Sequence, residues 1–134
     1  MGKSGGGSIA PAIRGIDVAS VREIALMKAY TIGRRALFRD YVDLYFALRS
    51  GEVSLAYILA NAPRKFTLEG ECLFAQRLFL EQLAYTGDTP DREQVLNLIP
   101  EGEKISAEEI EDFLRREAGR VARVLVRAHQ GGPK

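Results

Sequence analysis

The sequence predicts an all-α fold, a compact bundle of about five helices. Three observations carry this. Apolar residues recur at helical spacing along most of the 134 residues, no segment alternates convincingly with period two, and helix-capping patterns punctuate the periodic runs. The composition, 46% apolar and 28% charged, is that of a globule able to bury about two-thirds of its unfolded surface. A single helical domain is expected over residues 17–129. A flexible Gly/Ser-rich tail at 1–16 precedes it and a loose tail at 130–134 follows.

Ser20-Val-Arg-Glu23 reads as a capping box that opens the first helix, with Val21, Ile24, Ala25, Met27 and Ile32 as its apolar stripe. Gly33 is the first expected break, where the chain reverses. The second helix carries Val42, Tyr45, Phe46 and Leu48 and ends at Arg49, with Gly51 taking the left-handed closing position. Ser54 caps a short third helix, which Pro63 should stop. A longer helix is expected from Thr67 to about Tyr85, with Leu68, Cys72, Phe74, Ala75, Leu78, Phe79 and Leu83 facing inward. The turn cluster Thr86-Gly-Asp-Thr-Pro-Asp91 follows. Residues 92–99 fit either a weak helix or an extended strip, and Pro100-Glu-Gly-Glu103 reads as a loop. Ser106-Ala-Glu-Glu109 is a second capping box, opening a last helix through Arg127.

A net charge of +1 gives no reason to expect nucleic acid as a partner, and no apolar run reaches the length of a membrane span. The single cysteine, Cys72, reads as a buried small hydrophobe and fits a reducing, cytoplasmic setting. Gly2-Lys3-Ser4 lacks the earlier glycine and the strand that a phosphate-binding loop needs. One histidine, His129, excludes a two-histidine zinc site within the chain, and no metal site is expected.

The charges that invite a chemical reading surround the expected reversal. Lys28 lies upstream; Arg34, Arg35, Arg39, Asp40 and Asp43 follow. On one unbroken helix Lys28 and Asp40 would be about 18 Å apart along the axis and could not share a ligand. A fold-back would bring them together. Asp40 and Asp43, three apart, share a helix face. That spacing serves a helix cap with first-turn acids, a solvated face, or a ligand site.

The segments Val21-Arg-Glu-Ile-Ala-Leu-Met-Lys28-Ala-Tyr30 and Gly33-Arg-Arg-Ala-Leu-Phe-Arg39-Asp40-Tyr-Val-Asp43-Leu-Tyr45 resemble the C-terminal half of the AbiEii/AbiGii-type nucleotidyltransferase toxins. There a lysine helix is followed by an arginine-rich turn and an Arg-Asp-x-x-Asp-Leu helix. Val53-Ser54-Leu-Ala-Tyr-Ile-Leu59, the helix ending Leu83-Ala-Tyr-Thr-Gly-Asp88, and the last acid-capped helix are also similar, so the likeness spans about residues 17–125. The resemblance implies Lys28, with Arg35 and Arg39, near nucleotide phosphates, and Asp40 or Asp43 in nucleotidyl transfer. Tyr30, Tyr41 and Tyr45 would edge a base pocket.

The family's strand-rich core, with a Gly-Ser motif and paired metal-binding aspartates, has no counterpart before Lys28; Gly7-Ser8 is followed by no Asp-x-Asp. Transfer needs Mg²⁺ on the phosphate oxygens, and Asp40 with Asp43 could supply only part of its shell. The chain alone is therefore expected to be inactive and to need no cofactor. Mg²⁺ and NTP would enter only if a nucleotidyltransferase N-terminal domain completed it. The alternative is a non-catalytic interaction module that binds an antitoxin-like protein or a second copy of itself. A third reading, an HEPN-like RNase dimer, rests on Arg123 and His129, six apart on the last helix; a basic last turn facing the helix dipole is the plainer account.

Overall fold

A computed structural model describes residues 17–86, 89–98 and 105–130, with side chains up to Asn97 and Val124 in the last two segments. The expected tails and the Pro100–Glu103 loop lie outside the described residues, except Gln130, which is the last residue of the final helix and not part of a loose tail. Among those residues the fold is an all-α bundle of six helices with one small hairpin: α1 Val18–Arg34, α2 Phe38–Arg49, α3 Leu55–Lys65, β1 Thr67–Leu68, β2 Glu71–Cys72, α4 Gln76–Ala84, α5 Arg92–Leu98 and α6 Ala107–Gln130. No described helix is long and apolar enough to cross a membrane.

α1 packs against α2, α3 and α4, while α6 lies across α4, α2 and α3. Ala25, Ala29 and Ile32 of α1, Phe38, Tyr41 and Leu44 of α2, Ile58 of α3, Phe79 and Leu83 of α4, and Ile110 and Leu114 of α6 are fully buried in one core. Small residues on α1 and large ones on its neighbours let the helices approach closely at native packing density. Tyr45 meets Phe113 of α6 edge to face, with centroids 5.2 Å apart.

The expected helix starts hold at two positions and shift at a third. The Ser54 side chain accepts from the Tyr57 amide at 3.0 Å, and Ser106 from the Glu109 amide at 3.1 Å. α1 begins three residues earlier than Ser20 implies: Asp17 is its N-cap and accepts from the Ser20 amide at 2.8 Å. An aspartate caps as well as a serine, so the helix takes the extra turn. Met27 points outward, 46% exposed, off the stripe expected for it. Gly51 closes α2 with φ +82°, as its position predicts.

Gly33 is not the break. α1 runs to Arg34, and Gly33 is a buried helical residue over which Ala75 and Phe79 pass; a Cβ there would lie 3.4 Å from the Ala75 carbonyl oxygen. The reversal follows, at residues 35–37. Pro63 does not stop α3 either. A proline denies a hydrogen bond only to the carbonyl four residues before it, and the chain beyond keeps helical geometry to Lys65, where the Phe66 amide bonds the Ala62 carbonyl at 3.0 Å.

The largest correction lies at 67–75. In place of a helix from Thr67, a hairpin pairs Thr67 with Cys72 and Leu68 with Glu71. Its turn residues, Glu69 and Gly70, both have positive φ, +52° and +81°. Two left-handed residues form the tight turn that matches strand twist, and Gly70 makes it accessible. Leu68 and Cys72 are consequently exposed, not in the core, and Leu78 is half exposed. The expected inner face survives as Phe74, Phe79 and Leu83. Residues 92–98 take the helical option.

Candidate functional site

The reversal sets α1 and α2 side by side, and Lys28 enters the seam between them. Its ammonium lies 2.9 Å from Asp43 Oδ2 and 3.2 Å from Asp40 Oδ1. Asp40 is 4% exposed, and its second carboxylate oxygen, Oδ2, is buried without a hydrogen-bond partner. Lys28 keeps a quarter of its side chain in solvent. Burial opposes the lysine's charge, but hydrogen bonding and attraction from Asp43, with Asp40 adding to both, outweigh it and raise the Lys28 pKa above 10.5.

Asp40 is neither the N-cap of α2 nor its neighbour. It is the third helical residue, behind an N-cap position occupied by Leu37, whose side chain makes no capping bond. The cap comes from 53 residues downstream. Asp91 accepts from the Phe38 amide at 2.8 Å with Oδ1 and from the Arg39 amide at 3.2 Å with Oδ2. Its main-chain oxygen also receives the Val95 amide of α5 at 3.0 Å, so one residue completes two helix starts. Arg92 beside it pairs with Glu111 of α6 at 3.1 Å and covers the Phe38 ring.

Tyr41 supports the same turn of α2 from within. Its hydroxyl donates to the Gln82 main-chain oxygen at 3.1 Å. Burial, and secondarily the charge of Asp40, push its pKa far upward. Neither Tyr41 nor Tyr45 can edge a base pocket, because both lie within the core at 0% and 2% exposure. Tyr30 is half-buried and already stacked on Phe66 at 4.3 Å, with the Arg34 guanidinium 5.3 Å from its ring centroid. Tyr85, just past the end of α4, is 79% exposed.

Of the sequence-identified residues, Lys28, Asp40 and Asp43 converge. Arg35 and Arg39 are exposed beside the reversal and make no ion pair with a described carboxylate. The Lys28–Asp40–Asp43 group carries one net formal negative charge, which by itself would repel a phosphate. The carboxylates do not suit Mg²⁺ on their own. The ammonium occupies the space between them, a near-octahedral shell needs more oxygen donors, and no metal-holding cluster of three acids, cysteines or histidines occurs among the described residues. Arg123 is exposed on α6, and the His129 side chain lies outside the described residues. No family model, curated protein or solved structure matches the chain.

Sequence reasoning missed Asp91 and the Tyr41–Gln82 contact. Asp91 stands directly before α5 and reads locally as that helix's own cap; only the tertiary contact shows its carboxylate turned to α2.

Proposed function

We propose that this chain is the helical, substrate-side part of an AbiEii-type nucleotidyltransferase, which presents Lys28 with Arg35 and Arg39 to nucleotide phosphates and does not catalyse transfer by itself. One observation supports it above the rest: the cation and both acids of the resembling segments, 12 and 15 positions apart in sequence, meet within 3.2 Å across the α1–α2 turn. A solvated face would leave them in water, and an unbroken helix would keep them apart. The Lys28 ammonium offers three protons and two are engaged here, so the third can bond a phosphate oxygen while both carboxylates stay paired.

The test is a titration of the purified chain with ATP and Mg²⁺, followed by amide shifts at residues 28–43. Saturable shifts that Lys28→Met and Arg39→Glu both abolish are expected, with no magnesium-dependent nucleotidyl transfer to RNA or protein. Absence of shifts in the wild-type chain removes the nucleotide site, and transfer by the chain alone removes the claim of dependence on a second domain.

The interaction-module reading draws on a separate observation. An open, mostly apolar groove of about 560 Å³ lies between α3, the start of α4 and α6, on elements other than the α1–α2 seam that holds Lys28.

A further inference from the structure

The sign of the charge on α6 changes along its length. Glu108, Glu109, Glu111 and Asp112 occupy its first turns, while Arg115, Arg116, Arg120 and Arg123 follow. A net charge of +1 for the chain conceals this separation.

The later half of α6 carries two adjacent stripes. Val121 and Val124 border the apolar groove together with Leu55, Ala56, Leu59 and Ala60 of α3, and Val124 is 59% exposed. One residue out of phase, and so about 100° around the helix, Arg116, Arg120 and Arg123 recur at i, i+4 and i+7. They line a second hollow, of about 680 Å³. Across that hollow Arg49 of α2 rests on the Tyr45 and Phe113 rings, 5.8 and 5.6 Å from their centroids, which fixes its guanidinium in place.

Local acids neutralise only part of this surface. Arg120 is held by Glu117 and Arg115 by Asp112, whereas no carboxylate among the described residues pairs with Arg49, Arg116 or Arg123. The stripe spans about 10 Å of axis.

We infer that this face of α6 receives an acidic amphipathic helix of a partner protein, whose apolar side chains fill the α3–α6 groove and whose carboxylates meet Arg116, Arg123 and Arg49. The inference rests on the interaction-module reading and specifies its partner. Charge complementarity selects the occupant. An arginine fork accepts carboxylates and phosphates alike, but the groove beside it is lined mostly by aliphatic side chains and by no aromatic ring, so it suits leucine-like side chains and offers a base no stacking surface. A helix with apolar residues at i, i+4 and i+7, and glutamates one position later, presents the mirror of both stripes.

The experiment uses the full chain and two fluorescent peptides of about 16 residues, long enough for four turns, which share one leucine stripe and differ in a flank of Glu or of Lys. Fluorescence anisotropy should show the Glu peptide binding at least tenfold tighter than the Lys peptide, with the difference shrinking as salt is raised. Arg116→Glu with Arg123→Glu should weaken the Glu peptide at least tenfold, about the effect of reversing two exposed pairs. Val124→Glu should weaken both peptides, while Lys28→Met should weaken neither. Arg116, Arg123 and Val124 are exposed, and circular dichroism of each variant checks that the fold is kept.

Equal binding of the two peptides overturns the inference. So does a short single-stranded RNA that outcompetes the Glu peptide and is insensitive to Val124→Glu. A concentration-dependent dimer abolished by Val124→Glu also overturns it, while leaving the broader module reading standing. Tighter peptide binding after removal of residues 1–16 overturns it in favour of the chain's own N-terminal segment as the occupant.

Discussion

Lys28 is held by competing terms whose balance can be measured. Taking an ammonium partly out of water is unfavourable, and two carboxylates within 3.2 Å more than compensate. Removing the ammonium leaves the carboxylates of Asp40 and Asp43 facing each other, one of them 4% exposed. Lys28→Met should therefore cost about 2 kcal/mol in urea unfolding, less than the roughly 3–5 of a fully buried pair because Lys28 remains partly hydrated. The sign of the pH response follows from the raised pKa. Lys28 binds its proton more tightly folded than unfolded, so its contribution is complete below pH 10.5 and is lost as pH rises through the folded value. Tyr41 acts in the same direction. Unfolded, it ionises near pH 10; folded, burial keeps it neutral, so stability falls above that pH. Urea midpoints should decline above about pH 10, and Tyr41→Phe should remove up to one proton's worth of that slope, about 1.4 kcal/mol per pH unit. A slope unchanged by Tyr41→Phe would show that the hydroxyl titrates normally.

Among the elements, α2 depends most on distant residues. Its N-terminus has no side-chain cap of its own and borrows Asp91. Asp91→Ala should destabilise the chain by about 1–2 kcal/mol and speed amide exchange at Phe38 and Arg39 ahead of the rest of α2, because those amides lose their acceptor. Asp91→Asn, which keeps one acceptor oxygen, should lose less. Uniform loss of protection along α2 would mean that the cap does not act locally. The contact of α1 with α4 turns on Gly33. A methyl group there stands at the edge of ordinary contact with Ala75 and Phe79, so Gly33→Ala should lie near neutral, its helix-propensity gain of about 1 kcal/mol offset by crowding. Gly33→Leu has no room and should cost about 1–3 kcal/mol in thermal or urea unfolding. The hairpin at 67–72 illustrates a local preference outweighing periodicity. Leu68, Cys72, Ala75 and Leu78 lie at helical spacing, yet Glu69-Gly70 adopts a two-residue left-handed turn and turns Leu68 and Cys72 out to solvent.

For the whole molecule, one core joins all of the longer helices, and Phe79 lies where α1 and α4 meet. Phe79→Ala should cost about 3–5 kcal/mol, enough to unfold a domain of ordinary stability at moderate temperature. Much of this architecture is legible in the residues. The apolar stripes of α1 and α2, the Ser54 and Ser106 caps, and the Gly51 terminus follow from local periodicity, hydrogen-bonding capacity and backbone freedom. The expectation that Lys28 meets Asp40 and Asp43 also came from sequence, although the chain turns at 35–37 and not at Gly33. The borrowed cap from Asp91, the burial of Tyr41 and the two-striped face of α6 were not legible, since each depends on which helices become neighbours.

By itself, then, the sequence determined an all-α chain, several of its helix boundaries, and the set of charges able to converge near one turn. These are properties of residues a few positions apart, where spacing and side-chain chemistry suffice. Only the tertiary structure decided that Lys28 is bridged between two carboxylates, that Gly33 serves close packing, and that Arg49 of α2 joins the α6 arginines beside a groove made with α3. Each of those depends on distances between residues far apart in the chain, which burial of the shared core fixes and local pattern does not encode.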